Sequence, residues 1–391
     1  MNLFKNIHAW QRHITLLLLL LIVAGCASAP RTGSRVEFVE PKVMAPMINF
    51  WVHVYSRWDI GLVAFHDNRY LDVVYDLSPI TQGDRQTWDT ISELIKDDLL
   101  VIEESVTNPR KLTSNQERIK KMLVKAGGQS ALIGASERLR GQRGLKSEFR
   151  QGLERSQVYI PYFKKVFRSV GLPEEIAYLP HVESSFNKGA RSKVGASGMW
   201  QFMPSTARSF MPMRANVLDS RFDPRHSAQG AAKLMAYNHK IVHFWPLTIT
   251  AYNSGVGHGI RAKERYGNDM GMIVFNYNEG AFQFASRNFY AEFVAAMKIA
   301  RDPDKYFPGF RYNFPKSDIE GIQLITPMKL SDLSKEVGIS EVVLIDLNPA
   351  WLRNIETNRT EIPSNYDIWL PKGTMKRLNH HGFYRPSRIQ P

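Results

Sequence analysis

A single glutamate, Glu183, has a sequence context suited to a general acid. Pro173 favours the first turn of a helix, because its missing N–H is not needed there, and apolar residues at helical spacing then lead to Glu183. A position near the helix carboxyl end and the apolar neighbours Val182 and Phe186 both disfavour the charged carboxylate. They should raise the pKa of Glu183, as proton transfer near neutral pH requires. Gly189 is predicted to end the helix.

Four sequence blocks around this glutamate carry more specific information than the glutamate alone. They are Glu183-Ser184-Ser185-Phe186-Asn187, residues 194–207 (VGASGMWQFMPSTA), residues 251–255 (AYNSG) and residues 288–294 (NFYAEFV). In order, spacing and residue identity the blocks resemble the soluble lytic transglycosylase (SLT) family, whose fold is similar to goose-type lysozyme. Residues 171–175 (GLPEE) and Trp200 are most similar to the membrane-bound transglycosylase D type.

The resemblance implies a glycan-binding cleft around the acid. Gln201 offers both a donor and an acceptor to a sugar, and the glycines of residues 195–198 let backbone approach a sugar closely. Taken singly, Met203 and Tyr252 could be core residues, and Gln201 and Asn253 could cap helices. Their register with the family blocks favours the cleft instead. The substrate-binding residues implied are Ser192 near the reacting N-acetyl group, Gln201, Met203, Tyr252, Asn253, and Tyr290 with its hydroxyl near the acid.

The same resemblance implies an enzyme, a lytic murein transglycosylase with Glu183 as its one catalytic residue. The acid would protonate the glycosidic oxygen between N-acetylmuramic acid and N-acetylglucosamine. It would then deprotonate the C6 hydroxyl, so that a 1,6-anhydro ring closes, and no metal or organic cofactor is required. Ordinary glycosidases use two carboxylates, but nothing in the sequence brings the nearest later acids, Asp219 and Asp223, into the cleft.

Two other functions remain open at the level of sequence. A hydrolytic muramidase on the same fold would release a reducing sugar in place of the anhydro product. A non-catalytic lipoprotein could tether the envelope to peptidoglycan, although a binder has no need of an acid at position 183. The sequence leaves open endo or exo cleavage, crosslink preference, oligomeric state and protein partners.

The first residues predict export and a lipid anchor. Lys5 and Arg12 precede an apolar run from Ile14 to Ala24, which is too short to span a bilayer, since spanning takes about 20 residues. The basic start, short apolar segment and small residues are typical of a secretory signal. The segment resembles a bacterial lipoprotein signal that is cleaved before Cys26, the lone cysteine of the chain. This resemblance implies lipidation of Cys26 and sorting to the periplasmic face of the outer membrane.

Length and charge limit the remaining possibilities. A chain of 391 residues predicts two or three domains, and its net charge of +14 favours polyanionic partners. Because the export signal argues against a nucleic acid partner, peptidoglycan strands and the membrane beneath the anchor are the expected partners.

The predicted fold class is mainly α, with a lysozyme-like (SLT) catalytic domain, a helical N-terminal region and a small α+β module. The predicted divisions are a signal peptide at 1–25, a mainly helical N-terminal region at 26–157, the catalytic domain at 158–310 and the module at 318–378. Spacing from Trp88 to Ile102 predicts an amphipathic helix, whereas Asn49 to Leu77 could be strand or irregular structure. A basic stretch from Arg138 to Arg150 is interpreted as a solvated helix face.

The C-terminal module has a βααβ pattern. Strands are predicted at Ile322–Ile325 and Tyr366–Leu370, and helices at Leu330–Val337 and Leu344–Leu347, the first of which ends at Gly338. The pattern is similar to the glycan-binding LysM module. Where LysM has Gly-Asp-Thr at the first turn, this chain has Thr326-Pro327-Met328, so we expect the fold to be kept and glycan binding to be lost.

Overall fold

The structure is a computed structural model that describes residues 38, 40–378 and 382–387. Cys26 and the predicted signal peptide lie outside these residues. Across the part of the chain that is described, no helix combines the length and apolar character needed to cross a membrane.

The N-terminal part combines helices with a small antiparallel sheet, in which β1 pairs with both β2 and β3. The stretch that the sequence left undecided begins as a helix and continues as strands. The helix predicted from Trp88 to Ile102 is confirmed as α2, and Asp84 caps it by accepting from the Thr87 N–H at 3.0 Å. The elements are α1 (Ala45–Ser56), β1 (Leu62–Asp67), β2 (Val74–Pro79), α2 (Arg85–Thr107), α3 (Ser114–Gly127) and β3 (Leu139–Arg143), with 3₁₀ turns at Lys42–Met44 and Gln129–Leu132.

The central part is helical, as the sequence predicts. Proline opens several of its helices at a position where the missing N–H costs nothing, as in α8 and α9. Its elements are α4 (Lys146–Ser156), α5 (Ile160–Ser169), a 3₁₀ turn (Glu174–Tyr178), α6 (Pro180–Ser184), α7 (Pro204–Phe210), β4 (Met213–Arg214), β5 (Leu218–Asp219), α8 (Pro224–Val242), α9 (Trp245–Ser254), α10 (Val256–Tyr266), α11 (Met270–Asn276), α12 (Phe284–Arg301) and α13 (Pro303–Tyr306).

One hydrophobic core joins the N-terminal helix to the central part. Helix α12 lies in its middle and packs against α1, α6 and α9. Phe38 contacts Phe293 edge-on with ring centroids 5.0 Å apart, and Tyr55 stacks on Phe149 at 5.0 Å. The apolar residues of α1 are therefore buried against the central helices, which explains why an aromatic stretch adopts a helix here.

The C-terminal module contains the two predicted strands and two predicted helices in the predicted order, with three further short elements, one helix before the second strand and a helix and a strand after it. Strand β6 pairs antiparallel with β7 and with β8, and its register joins Ile322 to Ile368. The first helix ends at Gly338, which adopts a left-handed conformation with φ of 65° as expected for a helix stop. Its elements are β6 (Ile319–Leu324), α14 (Leu330–Val337), α15 (Glu341–Leu347), α16 (Arg353–Glu356), β7 (Asp367–Pro371), α17 (Thr374–Arg377) and β8 (Tyr384–Pro386).

A buried histidine fastens this module to the central part. His226 of α8 lies 2.9 Å from Asp223 and 3.5 Å from Asp367 of β7, and its ring stacks on Tyr366. Trp369 donates its indole N–H to Asp223 at 2.5 Å. Burial alone would lower the pKa of His226, but the two carboxylates outweigh it and raise that pKa to about 9.

Loss of the imidazolium should loosen the module. The folded pKa of His226 lies above its ordinary 6.5, so its charge stabilises fully below pH 6.5, and that contribution disappears as pH rises through about 9. We expect His226→Gln to lower the free energy of unfolding by about 3 kcal/mol at pH 6, because it leaves two buried carboxylates without the cation that they share. Urea unfolding at pH 6 and 9.5 measures this, and the difference from the unmodified protein should shrink at pH 9.5. An equal difference at both values would contradict the account.

Candidate active site

Glu183 lies in the last turn of a short helix. The single helix predicted from Pro173 is wrong: the structure has a 3₁₀ turn followed by the five-residue α6, which Pro180 opens. Helix α6 ends at Ser184, well before Gly189, because Ser185 and Phe186 adopt left-handed conformations with φ of 49° and 59°. The chain therefore turns sharply just after the carboxylate.

Two hydrogen bonds fix this turn. Ser184 donates its hydroxyl to the carbonyl of Met199 at 2.8 Å, and Arg155 of α4 donates to the carbonyl of Ser185 at 2.8 Å. Gly152 lies directly beneath, since a Cβ there would come within 3.2 Å of Ser185. Helix α6 is thus held between α4 and the segment 194–203.

The environment of Glu183 favours the protonated acid. Burial first, and the charge of Glu292 second, raise the pKa of Glu183 to about 8. The upward direction was expected from the sequence, and Phe186 is buried beside the helix as predicted. The contribution of Glu292 was not expected. At neutral pH the carboxyl holds a proton that it can donate.

The segment 194–203 is shaped chiefly by contacts within the protein. A Cβ on Gly198 would lie 1.8 Å from the carbonyl oxygen of Arg221, and Gly198 has φ of 77°. Position 198 therefore requires glycine because of this backbone contact. The sequence analysis had expected a different reason, the close approach of backbone to a sugar. Ser192 accepts from the Ala196 N–H at 2.9 Å, and Gln201 donates to the Gly198 carbonyl at 2.8 Å.

A buried ion pair, Arg221 with Asp219, supports the segment 194–203. Arg221 pairs with Asp219 at 2.7 Å and donates to the carbonyls of Gly195 and Phe202 at 2.8 and 3.2 Å. Asp223 pairs with His226. Both aspartates named in the sequence analysis are thus engaged in structural pairs.

The remaining expected cleft residues fall into two groups. Tyr252 donates its hydroxyl to the Trp200 carbonyl at 2.9 Å, and burial and then the Glu183 charge raise its pKa, which indicates that it lies close to the acid. Met203 is 40% exposed at the start of α7, and Asn253 is exposed and accepts from Ser286 at 2.8 Å. Tyr290, by contrast, is fully buried in the core, and the carboxylate that affects it is Glu40.

Three further residues that the sequence analysis missed interact with the acid or with its neighbour Glu292. They are Glu292 of α12, Tyr55 of α1 and Arg140 of β3. Glu292 stands inside the fourth sequence block, which was its only signal. Arg140 was interpreted as part of a solvated helix face, but it lies on a strand, with its guanidinium 4.0 Å from the centroid of the Phe284 ring.

Comparisons with known proteins identify a domain family for the central part. Residues 163–275 match the family model "Transglycosylase SLT domain". A protein of Alteromonas sp. strain M-1, whose name links it to tributyltin chloride resistance, is 30% identical over 155 residues, which are 39% of this chain and 73% of that protein. The membrane-bound lytic murein transglycosylase D of Escherichia coli K12 is 34% identical over 109 residues, which are 28% of this chain and 24% of that one.

Among solved structures, a lytic transglycosylase Slt from Pseudomonas aeruginosa, an inactive mutant, is similar at 16% identity. The match covers 60% of this chain and 34% of that one, and its TM-score of 0.32 is too low to support an argument. The central part is helical, and the half-buried Glu183 lies within the residues that match this domain model. The chain belongs to the family of proteins that carry a transglycosylase SLT domain.

The contact between Gly198 and Arg221 yields a test of the segment that faces the acid. We expect Gly198→Ala to lower the free energy of unfolding by about 3 kcal/mol or more, because it adds steric overlap to backbone strain. The matched control is Gly195→Ala, where φ is 94° but nothing lies within 4 Å of the new Cβ. That control should cost about 1 kcal/mol. Equal losses in urea unfolding would show that the contact does not determine the glycine.

Proposed function

We propose that this chain is a lytic transglycosylase that cleaves the β-1,4 bond between N-acetylmuramic acid and N-acetylglucosamine in peptidoglycan and forms 1,6-anhydro-N-acetylmuramic acid. The observation that carries the proposal is the acid itself. Glu183 is held at a sharp turn beside the family's sequence blocks, and its pKa is raised to about 8. A carboxyl in that state can donate a proton at neutral pH and later accept one.

The reaction needs one proton that leaves Glu183 and returns to it. The carboxylic acid protonates the glycosidic oxygen as its bond to C1 of the muramic acid breaks, and N-acetylglucosamine departs with a hydroxyl. The 2-acetamido carbonyl oxygen of the muramic acid stabilises the cationic C1. The Glu183 carboxylate then takes the proton of the C6 hydroxyl while that oxygen bonds to C1. The intramolecular hydroxyl reacts as though highly concentrated, which favours ring closure.

The structure supports the substrate contacts proposed from the sequence to different degrees, according to how exposed each side chain is. Met203 and Asn253 are exposed, so they are free to meet a glycan, and Tyr252 lies near the acid. Ser192 and Gln201 hold the segment 194–203 in shape, and each keeps partial exposure for a sugar. We do not assign substrate contact to Tyr290, which is buried.

We further propose a lipid anchor on Cys26, which lies outside the described residues, and a location at the periplasmic face of the envelope, with the outer membrane as its site. The lipoprotein-like signal supports the anchor. The word "membrane-bound" in the name of the Escherichia coli relative agrees with an envelope location. The βααβ order supports a LysM-like module, whose glycan binding is a separate question.

One observation favours hydrolysis as the second candidate. Glu292 is a second carboxyl close to Glu183, and a second carboxylate is what inverting and retaining muramidases require. A muramidase would direct water to C1 and leave a reducing end. The two candidates therefore differ in their product. A non-catalytic tether would leave the strands uncut.

Mass spectrometry of digested sacculi tests the proposal. We expect the chain without residues 1–26 to release muropeptides that end in 1,6-anhydro-N-acetylmuramic acid. Glu183→Gln should reduce this release by about 10²-fold or more, because the amide cannot transfer the proton, and should still bind sacculi. The control is Glu174→Gln. It removes a carboxylate from the 3₁₀ turn that precedes α6, where Glu174 pairs with Lys164 and Arg168 of α5. Reducing-end products would favour the muramidase, and intact strands with a folded, bound protein would favour the tether.

A further inference from the structure

A cavity lies beside the start of α5, where the central part meets the linker to the C-terminal module. Its volume of about 400 Å³ is within the range of sites that bind small ligands. Residues between 158 and 165 form one wall, Arg225 of α8 forms the second, and the linker residues 315–318 form the third. None of these residues belongs to the candidate active site, so the cavity is a separate feature of the protein.

The linker wall of this cavity is tied to the fold at both ends. The Asn313 N–H donates to the side-chain carbonyl of Gln157, which follows α4. At the other end, the Lys372 N–H, just after β7, donates to the Asp318 carbonyl at 2.7 Å. The linker backbone therefore holds a fixed position against the central part and the module, and the cavity is built by the fold.

Positive charge dominates the lining of the cavity. Lys165, Arg225 and Lys316 line it together with one carboxylate, that of Asp318. Three positive charges and one negative charge leave a net charge of +2. A cleft lined mainly by one sign of charge concentrates its field inside and attracts ions of the opposite sign. The lining therefore favours an anionic ligand.

Arg225 lacks a counter-ion within the described residues. Its side chain forms no ion pair there, and its buried Nε has no hydrogen-bond partner. The oxygens of the neighbouring Asp223 accept instead from the Arg225 backbone N–H and from the side chains of His226 and Trp369. The guanidinium lies 5.1 Å from the centroid of the Trp369 ring, which positions it beside the cavity. A partly desolvated guanidinium without an acceptor is suited to pair with an incoming carboxylate.

The rest of the lining is aromatic and apolar. Tyr159 and Tyr162 line the cavity, and the Tyr162 hydroxyl accepts from the side chain of Gln229 at 3.2 Å. Beside them Val158 is 53% exposed, although it is a large apolar residue. An inorganic anion would use only the cations of this cavity. A short acidic peptide would use both kinds of wall, because it carries carboxylates and aliphatic groups together.

We propose that this cavity is a second binding site, which takes the carboxylates of the short peptides that peptidoglycan strands carry. The choice of these peptides rests on the proposed function, because they are the acidic chains attached to the proposed substrate. The cavity and its charges do not depend on that function. Helix α5 connects the cavity to the acid, since Phe163 of this helix stacks on Phe186, three residues after Glu183, with centroids 6.0 Å apart. A strand held here by its peptide is held on the domain that carries the acid.

Calorimetric titration with a soluble peptide tests the site without any cleavage of glycan. The probe is N-acetyl-L-alanyl-γ-D-glutamyl-meso-diaminopimelyl-D-alanine, and its counterpart has every carboxylate converted to an amide. At a salt concentration of about 0.15 M, which screens exposed charges, we expect the acidic peptide to bind about tenfold more tightly than the amidated one. Equal affinity for the two peptides, or no measurable binding of the acidic one, would overturn the proposal.

Substitutions of the cations locate the binding. Arg225→Gln should weaken the binding of the acidic peptide by about tenfold, because it removes the guanidinium and keeps a polar side chain. Lys316→Gln changes an exposed linker residue, should weaken binding by about threefold, and serves if Arg225→Gln fails to fold. The control Lys335→Gln removes an exposed cation of α14 that does not line the cavity, and it should leave the affinity unchanged. Unchanged affinity in both cavity variants would overturn the proposal.

Digestion of sacculi separates this proposal from the proposed function. A protein that binds the acidic peptide through Arg225 and leaves the strands uncut would support the site and reject the proposed function. A protein that releases anhydro products and does not bind the acidic peptide would support the proposed function and overturn the site. Where both hold, Arg225→Gln should raise KM for soluble peptide-bearing strands by about threefold, while kcat changes less than twofold, because only binding is lost.

Discussion

The structure around the site depends on the partial burial of one carboxyl, that of Glu183. Removal from water makes its charge costly, and burial is the first cause of its raised pKa. The protein achieves this with a five-residue helix that Pro180 opens and that two left-handed residues close. Hydrogen bonds of Arg155 and Ser184 fix the end of that helix, and with it the backbone that carries the carboxyl.

Regions outside the matched domain complete this environment. Helix α1 contributes its apolar surface to the same core as α12 and places Tyr55 beside the two carboxyls. The Asp219–Arg221 pair supports the segment 194–203. The same aspartate contacts the C-terminal module, because the Asp219 N–H donates to the Ala350 carbonyl at 2.8 Å. The acid is therefore positioned by residues from all three parts of the described chain.

The sequence predicted what depends on local pattern. It predicted the mainly helical fold, the amphipathic α2, and the strands and first two helices of the C-terminal module, because these follow from spacing and turn residues. The assignment of Glu183 as the acid stays a prediction. It did not predict that α1 is a helix, since residues buried on nearly all sides show no amphipathic period. Glu292 and Tyr55 are 237 positions apart, and only tertiary packing joins them. The sequence also could not show why position 198 requires glycine, because the contact of Gly198 with Arg221 forms only in the folded protein.

A structure of the Glu183→Gln protein with a bound peptidoglycan oligosaccharide tests the central claim most directly. The account predicts a glycan that passes along the exposed side of Met203 and Asn253. The amide at position 183 should lie within about 3 Å of the glycosidic oxygen on the reducing side of an N-acetylmuramic acid. A glycan bound in this cleft with its glycosidic oxygens beyond hydrogen-bond reach of position 183, or a glycan bound only elsewhere on the protein, would contradict it.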